Sequence, residues 1–170
     1  GIIENAFNPE FSNGALMDIG VYCVHPLVRL FGMPKKIIAD SLLLSNGVEG
    51  AGTILASYDG MQAELLYSKI TNNRLPSQIQ GEDGTLVIDN ITNICSVVFH
   101  DRKGNAETVI ELPPEHSLEG EVKDWLRMIA TGEGVREDNE CSLMELRVMD
   151  EARRQAGIVF PADLRKITGC

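Results

Sequence analysis

Four side chains in one short segment have the chemistry and the spacing to act on a single ligand. In GALMDIGVYCVHPLVRLF, Gly14 to Phe31, the residues Asp18, Tyr22, His25 and Arg29 bring a carboxylate, a phenol, an imidazole and a guanidinium. At about 100° per residue they fall in a stripe roughly 60° wide along one side of a helix. A carboxylate and a phenol one turn apart are the parts needed to orient a hydroxyl group and to move its proton. A free phenol, with a pKa near 10, is a poor base at neutral pH, so this chemistry asks for a neighbouring cation that favours phenolate. A structural account fits the same residues: an amphipathic helix needs a polar side, Asp18 suits the helix dipole, Tyr22 a half-buried aromatic, His25 the neighbourhood of a proline and Arg29 solvent. From the residues alone both accounts stand.

The elements that would carry this stripe follow from periodicity. Leu16, Ile19, Cys23, Leu27 and Leu30 recur at spacings of three and four and predict one apolar helix face turned to a core. Pro26 lacks a backbone donor and is expected to kink the helix near Tyr22, while Gly32 and Pro34 end it. From Lys35 to Leu112 the pattern changes to six or seven short β-like runs. TILASYDGMQAELLYSK reads as a hairpin whose Asp59-Gly60 turn supplies positive φ angles, and GEDGTLVID and CSVVFHDRKGNAETVIEL supply three further strands. The connections are too short for parallel crossovers. Two helices close the chain. The first is expected to be capped by Ser117, to carry Leu118, Val122, Trp125, Leu126 and Ile129 on one face, and to stop at Gly132. The second is expected to start at a Ser142-x-x-Glu145 capping box and to stop at Gly157. The predicted fold class is α+β, an open, mostly antiparallel β-sheet with helices packed on one face.

Composition sets outer limits. A chain of 170 residues, 44% hydrophobic, has the size of one ordinary domain. Its net charge of −10, with scattered basic residues, argues against nucleic acid and anionic membranes as partners. No apolar run approaches the roughly 20 residues that span a bilayer. Cys23, Cys95, Cys141 and Cys170 are too far apart for a C-x-x-C site, so no metal site is expected and a reduced, cytoplasmic setting is. No G-x-G-x-x-G, P-loop, H-E-x-x-H or G-x-S-x-G occurs.

NGALMDIGVYCVHPLVRLFG, GEDGTLVID and the closing GIVFPAD together resemble the C-terminal domain of the Gfo/Idh/MocA oxidoreductases, the glucose-fructose oxidoreductase and inositol dehydrogenase family. The resemblance spans nearly the whole chain and implies an open, largely antiparallel sheet that packs beside a separate Rossmann domain. In the family, NAD or NADP is bound mainly by that other domain, and the nicotinamide meets a sugar, polyol or dihydrodiol in the cleft between the two. The family's acid falls on Asp18 and its His or Tyr on Tyr22, as in the glucose-fructose oxidoreductase and dihydrodiol dehydrogenase branch, which makes Asp18 and Tyr22 the catalytic candidates. His25 and Asn13 become the substrate-binding candidates. Ser12-Asn13-Gly14 stands where three glycines are usual, and the family's catalytic Lys belongs to the nucleotide-binding half. The expectation is therefore one C-terminal domain over residues 1–170, with no cofactor-binding residues of its own, inactive in isolation and homo-oligomeric, as a dimer, through its open sheet face. The competing expectation is a non-enzymatic ligand-sensing or assembly module built on the same fold.

Overall fold

Alternating burial along neighbouring strands divides this protein into an inner and an outer surface. The computed structural model describes residues 7–113 and 119–164. It forms two compact units, one made of the residues up to Asn72 together with those from Glu137 onward, the other of Asn73–Arg136. In the first unit β1 (Lys36–Leu43), β2 (Glu49–Ser57) and β3 (Gln62–Ser68) make an antiparallel meander with Ala39 opposite Ile54 and Ile54 opposite Leu65. Ile37, Ala39, Ile54, Ala56 and Tyr67 face the core, where they meet Val24, Leu27 and Val28 of the opening helix and Val148, Met149 and Ala152 of a later one. Ile38, Leu42 and Leu66, on the opposite face, are exposed.

The second unit contains β4 (Ser77–Gln80), β5 (Gly84–Ile88), β6 (Ser96–Asp101) and β7 (Ala106–Glu111), paired in that order and all antiparallel. The seven strands are thus an α+β arrangement, as expected, but divided between two sheets rather than joined in one. After β3 the Ser68 hydroxyl accepts from the amides of Ile70 and Thr71, which turns the chain out of the ladder, and Pro76 then precedes β4. At the β2–β3 turn Tyr58 N–H bonds Met61 O at 2.9 Å. Only Gly60 has a positive φ there, so the doubly left-handed turn expected of Asp59-Gly60 is not formed.

The opening helix is not a regular α-helix. Residues Leu16–Gly20 form a π turn, in which Val21 N–H reaches Leu16 O, and α1 (Val21–Phe31) continues from it. Adding a residue to one turn moves the inward position downstream by one, from Cys23 to Val24. Leu16 and Leu27 are buried as expected, whereas Ile19 and Cys23 are only half-buried and Leu30 is exposed. Val24 and Val28 take the expected places in the core. Pro26 lies inside α1, and the irregularity sits before Tyr22 rather than at it.

Two expectations about the closing helices change. α2 (Glu119–Thr131) stops at Gly132, φ 72°, but Val122, Trp125, Leu126 and Ile129 are all exposed. Ser117 and Leu118 lie outside the described residues. α3 (Val135–Ala156) begins a full two turns before Ser142, so no capping box forms there. Burial of Cys141 together with Val148, Met149 and Ala152 requires one continuous helix through that point. Gly157, φ 70°, ends it as expected, and α4 (Pro161–Leu164) is a single turn.

Candidate functional site

The segment that delivers Asp18 is shaped by two glycines. A Cβ on Gly14 would lie 2.0–2.1 Å from the Glu49 carboxylate, and one on Gly20 would lie 3.0 Å from Leu16 Cδ1 and 3.4 Å from the Tyr67 ring. Close backbone approach therefore occurs at Gly14 without the full triple-glycine pattern. Ser12 takes the left-handed conformation, φ 54°, and is the one non-glycine among the described residues to do so. Glu49, at the start of β2, is fully buried with its Oε1 accepting from Leu16 N–H at 3.1 Å, while its Oε2 has no hydrogen-bond partner. A carboxylate thus occupies the positive end of the helix that carries the stripe.

Asp18 sits within the π turn, with its side chain 47% exposed. Its Oδ2 lies 2.8 Å from Lys69 Nζ, which also donates to the backbone carbonyl of Asn13 at 3.1 Å and stands 5.2 Å from the centre of the Phe7 ring. The Lys69 side chain is only 9% exposed. Tyr22, in the first turn of α1, is 46% exposed and not sealed into the core. His25 Nδ1 is 2.7 Å from Glu145 Oε2 on α3, and Arg29 Nη1 is 3.0 Å from Asp138 Oδ1. The structure therefore ties Asp18 to Asn13 through Lys69, leaves Tyr22 open, and gives His25 and Arg29 partners on α3.

Other groups that could compete for proton transfer are poorly suited. Burial pushes the Tyr67 phenol up, partly offset by its 2.9 Å bond with Ser41. Burial also pushes up the Cys23 thiol, whose Sγ lies 3.8 Å from Leu66 O, so it is a neutral group rather than a nucleophile. Among the described residues no cluster of His, Cys, Asp and Glu side chains could hold a metal ion.

Sequence reasoning missed Lys69 and Glu49. Glu49 left a faint signal, an acid between the apolar Val48 and the small residues Gly50, Ala51 and Gly52 at the head of a strand. Lys69 left none, because a lysine at a strand end reads as a solvated charge.

The GFO/IDH/MocA C-terminal domain model matches residues 4–87. Over 96% of its length the chain is 46% identical to scyllo-inositol 2-dehydrogenase (NADP(+)) of Bacillus subtilis, and it covers 50% of that protein. It is 25% identical over 95% of its length to trans-1,2-dihydrobenzene-1,2-diol dehydrogenase of Danio rerio, covering 52% of it. Among solved structures, aldose-aldose oxidoreductase from Caulobacter crescentus superposes with a TM-score of 0.72 at 21% identity, over 92% of this chain and 50% of that one. The chain spans about half the length of these relatives.

Proposed function

This chain belongs to the Gfo/Idh/MocA family of oxidoreductases as a C-terminal domain, and from that membership we propose that it is the substrate-binding and oligomerisation domain of an NAD(P)-dependent dehydrogenase acting on a polyol, sugar or dihydrodiol hydroxyl. The observation that carries this reading is the half-exposure of Asp18, in the π turn, and of Tyr22, just after it, in a chain 46% identical to an inositol dehydrogenase.

Removing a hydride from a secondary alcohol requires that the hydroxyl proton leave as well. The nicotinamide cofactor supplies the hydride acceptor. In this chain Tyr22 Oη is the group that takes or relays the proton, and the Asp18 carboxylate accepts a hydrogen bond from the substrate and orients it. His25, held by Glu145, and Asn13, whose carbonyl accepts from Lys69, are assigned to the polyol side.

The dinucleotide itself does not fit the described residues of this chain. A pyrophosphate needs free backbone N–H groups at a helix start and a glycine loop to approach them. The helix start at Leu16 already holds the Glu49 carboxylate. α2 and α3 open on Glu119 and Glu121 and on Glu137 and Asp138, acids that repel phosphate. The cofactor's phosphates are therefore assigned to a nucleotide-binding domain outside these residues, and the 170-residue chain alone should be inactive and show no micromolar affinity for NADPH by calorimetry.

The test is steady-state kinetics of the full-length protein with NADP+ and a panel of polyols that includes scyllo-inositol. Tyr22→Phe keeps the ring and removes the proton-transfer group, so kcat should fall roughly 100-fold or more. Asp18→Asn should cause a smaller loss shared between kcat and KM, and neither variant should alter the KM for NADP+. If His25→Ala abolishes turnover while Tyr22→Phe stays near wild type, the chemistry has been placed on the wrong member of the stripe. No helix among the described residues is long and apolar enough to cross a membrane, and the proposed setting is the cytoplasm.

A further inference from the structure

We propose that Lys69 is a positioning residue for Asp18, an in-chain cation that fixes the carboxylate toward the substrate hydroxyl; this rests on the reading of Asp18 given above. The backbone prepares it. Lys69 N–H bonds Gly50 O at 2.9 Å, which carries the β2–β3 ladder one residue past Ser68 and sets where the lysine side chain starts. The stem then runs inward beneath the segment that leads into the π turn, and the ammonium ends nearly out of water. A cation at such depth must be compensated by close partners. Those partners include the Asp18 carboxylate, the Asn13 carbonyl and the Phe7 ring.

The burial of this pair is lopsided, as it also is where Arg153 meets Asp150 and Asp163, but here the half-exposed anion is the acid of the proposed site. Lys35–Asp59 and Lys123–Glu119 are exposed on both sides, as ordinary surface pairs are. In Lys69–Asp18 the cation is buried and the anion is half-exposed. The ammonium holds one carboxylate oxygen from behind while the group still faces solvent, which is how a hydrogen-bond acceptor for a ligand hydroxyl is kept in one orientation. Glu49 supports the same segment from the neighbouring strand, beneath Gly14 and at Leu16 N–H. Residues 13–18 are therefore gripped between a lysine just past the end of β3 and a glutamate at the start of β2. The two groups that the helix stripe and the loop offer to the substrate, Asp18 and Asn13, are set by a single ammonium.

The experiment is Lys69→Met in the full-length protein, with scyllo-inositol and NADP+ as probes, beside Lys69→Arg, Asp18→Asn and the double variant Lys69→Met/Asp18→Asn. Lys69→Met should raise the KM for the polyol roughly tenfold or more, with the KM for NADP+ unchanged. Lys69→Arg should restore most of the loss, and in the Asp18→Asn background Lys69→Met should add little. A crystal structure of the Lys69→Met variant should show the Asp18 carboxylate displaced, a readout that does not depend on turnover. If Lys69→Met does not fold, Lys69→Gln, which keeps a donor for the Asn13 carbonyl, carries the same expectation. The proposal is overturned if the variant that folds has wild-type KM and an unmoved Asp18, or if its losses fall equally on polyol and NADP+ and Lys69→Arg does not rescue them. A deficit in Asp18→Asn without one in the Lys69 variants refutes this inference alone, whereas an Asp18→Asn protein that behaves as wild type refutes the reading of the site beneath it.

Discussion

Gly14 shows how one missing side chain can organise several others. The Glu49 carboxylate occupies the space that a Cβ at residue 14 would need, and it has no exposure through which to retreat. Gly14→Ala must therefore push a buried carboxylate off Leu16 N–H or lift the whole segment, at a cost of about 1–3 kcal/mol in urea denaturation. In a double-mutant cycle with Glu49→Ala, which vacates the space, the two losses should be markedly less than additive. Additive losses would show that the carboxylate and the glycine do not meet as described.

At the scale of elements, the outer edge of β1 is closed by a side chain rather than by another strand. Gln155 on α3 donates from Nε2 to Ile37 O at 3.1 Å and accepts from Ala39 N–H at 2.9 Å, a strand-like pairing that blunts the edge. The same amide nitrogen bonds Glu151 Oε1 at 2.7 Å. Hydrogen bonds from Arg154, and then from Gln155, hold the Glu151 carboxyl down at about 2, against an ordinary value of 4.5. A carboxyl whose folded pKa lies below its unfolded one adds stability above the unfolded value and loses it as pH falls through the folded one. Glu151 should therefore contribute a loss of stability between about pH 4.5 and 2, small because the pair is solvated, and Glu151→Gln should flatten that part of a stability profile. Asp101, whose carboxyl is held below its ordinary range first by its bond with the Asn105 side chain, works in the same direction at the β6–β7 turn. The protection of the Ala39 amide, its exchange by NMR measured against the intrinsic rate at each pH, should fall over the same range. An Ala39 amide that stays as protected below pH 3 as at pH 7 would disconnect Glu151 from the edge.

For the whole molecule, the outer face of the three-stranded sheet is the feature that asks for a partner. Ile38, Leu42 and Leu66 are 51%, 58% and 69% exposed there, with Leu55 half-buried among them. Open apolar sheet faces of this kind mark contact surfaces, and a self-complementary face closes most simply as a two-fold dimer. If the chain pairs through this face, as proposed, Leu66→Asp, central on β3, should make it monomeric in light scattering while leaving the far-UV spectrum unchanged. A wild-type chain that is monomeric at micromolar concentration, or a variant that remains dimeric, would move the interface elsewhere.

The sequence by itself determined the parts that depend on near neighbours along the chain. The β-like runs between Lys35 and Leu112 become seven antiparallel strands because alternation and short turns are local properties, and Gly32, Gly132 and Gly157 end helices because a left-handed residue stops a helix wherever it occurs. Asp18, Tyr22, His25 and Arg29 are all exposed, as the polar side of an amphipathic helix is expected to be, but the π turn that separates Asp18 from the other three left no period in the sequence. Tertiary structure decided what periodicity could not reach. The π turn replaced Cys23 by Val24 in the core because Gly20 packs against Tyr67, a residue on a distant strand. α3 ran through its apparent capping box because Cys141 had a core to enter. Lys69 came to lie beneath Asp18, and Glu49 beneath Gly14, because the sheet ladder brings the end of β3 and the start of β2 together below the helix. Charges that distant chain segments bury against one another leave no period in the sequence, since burial is a property of the assembled fold and not of the residues that undergo it.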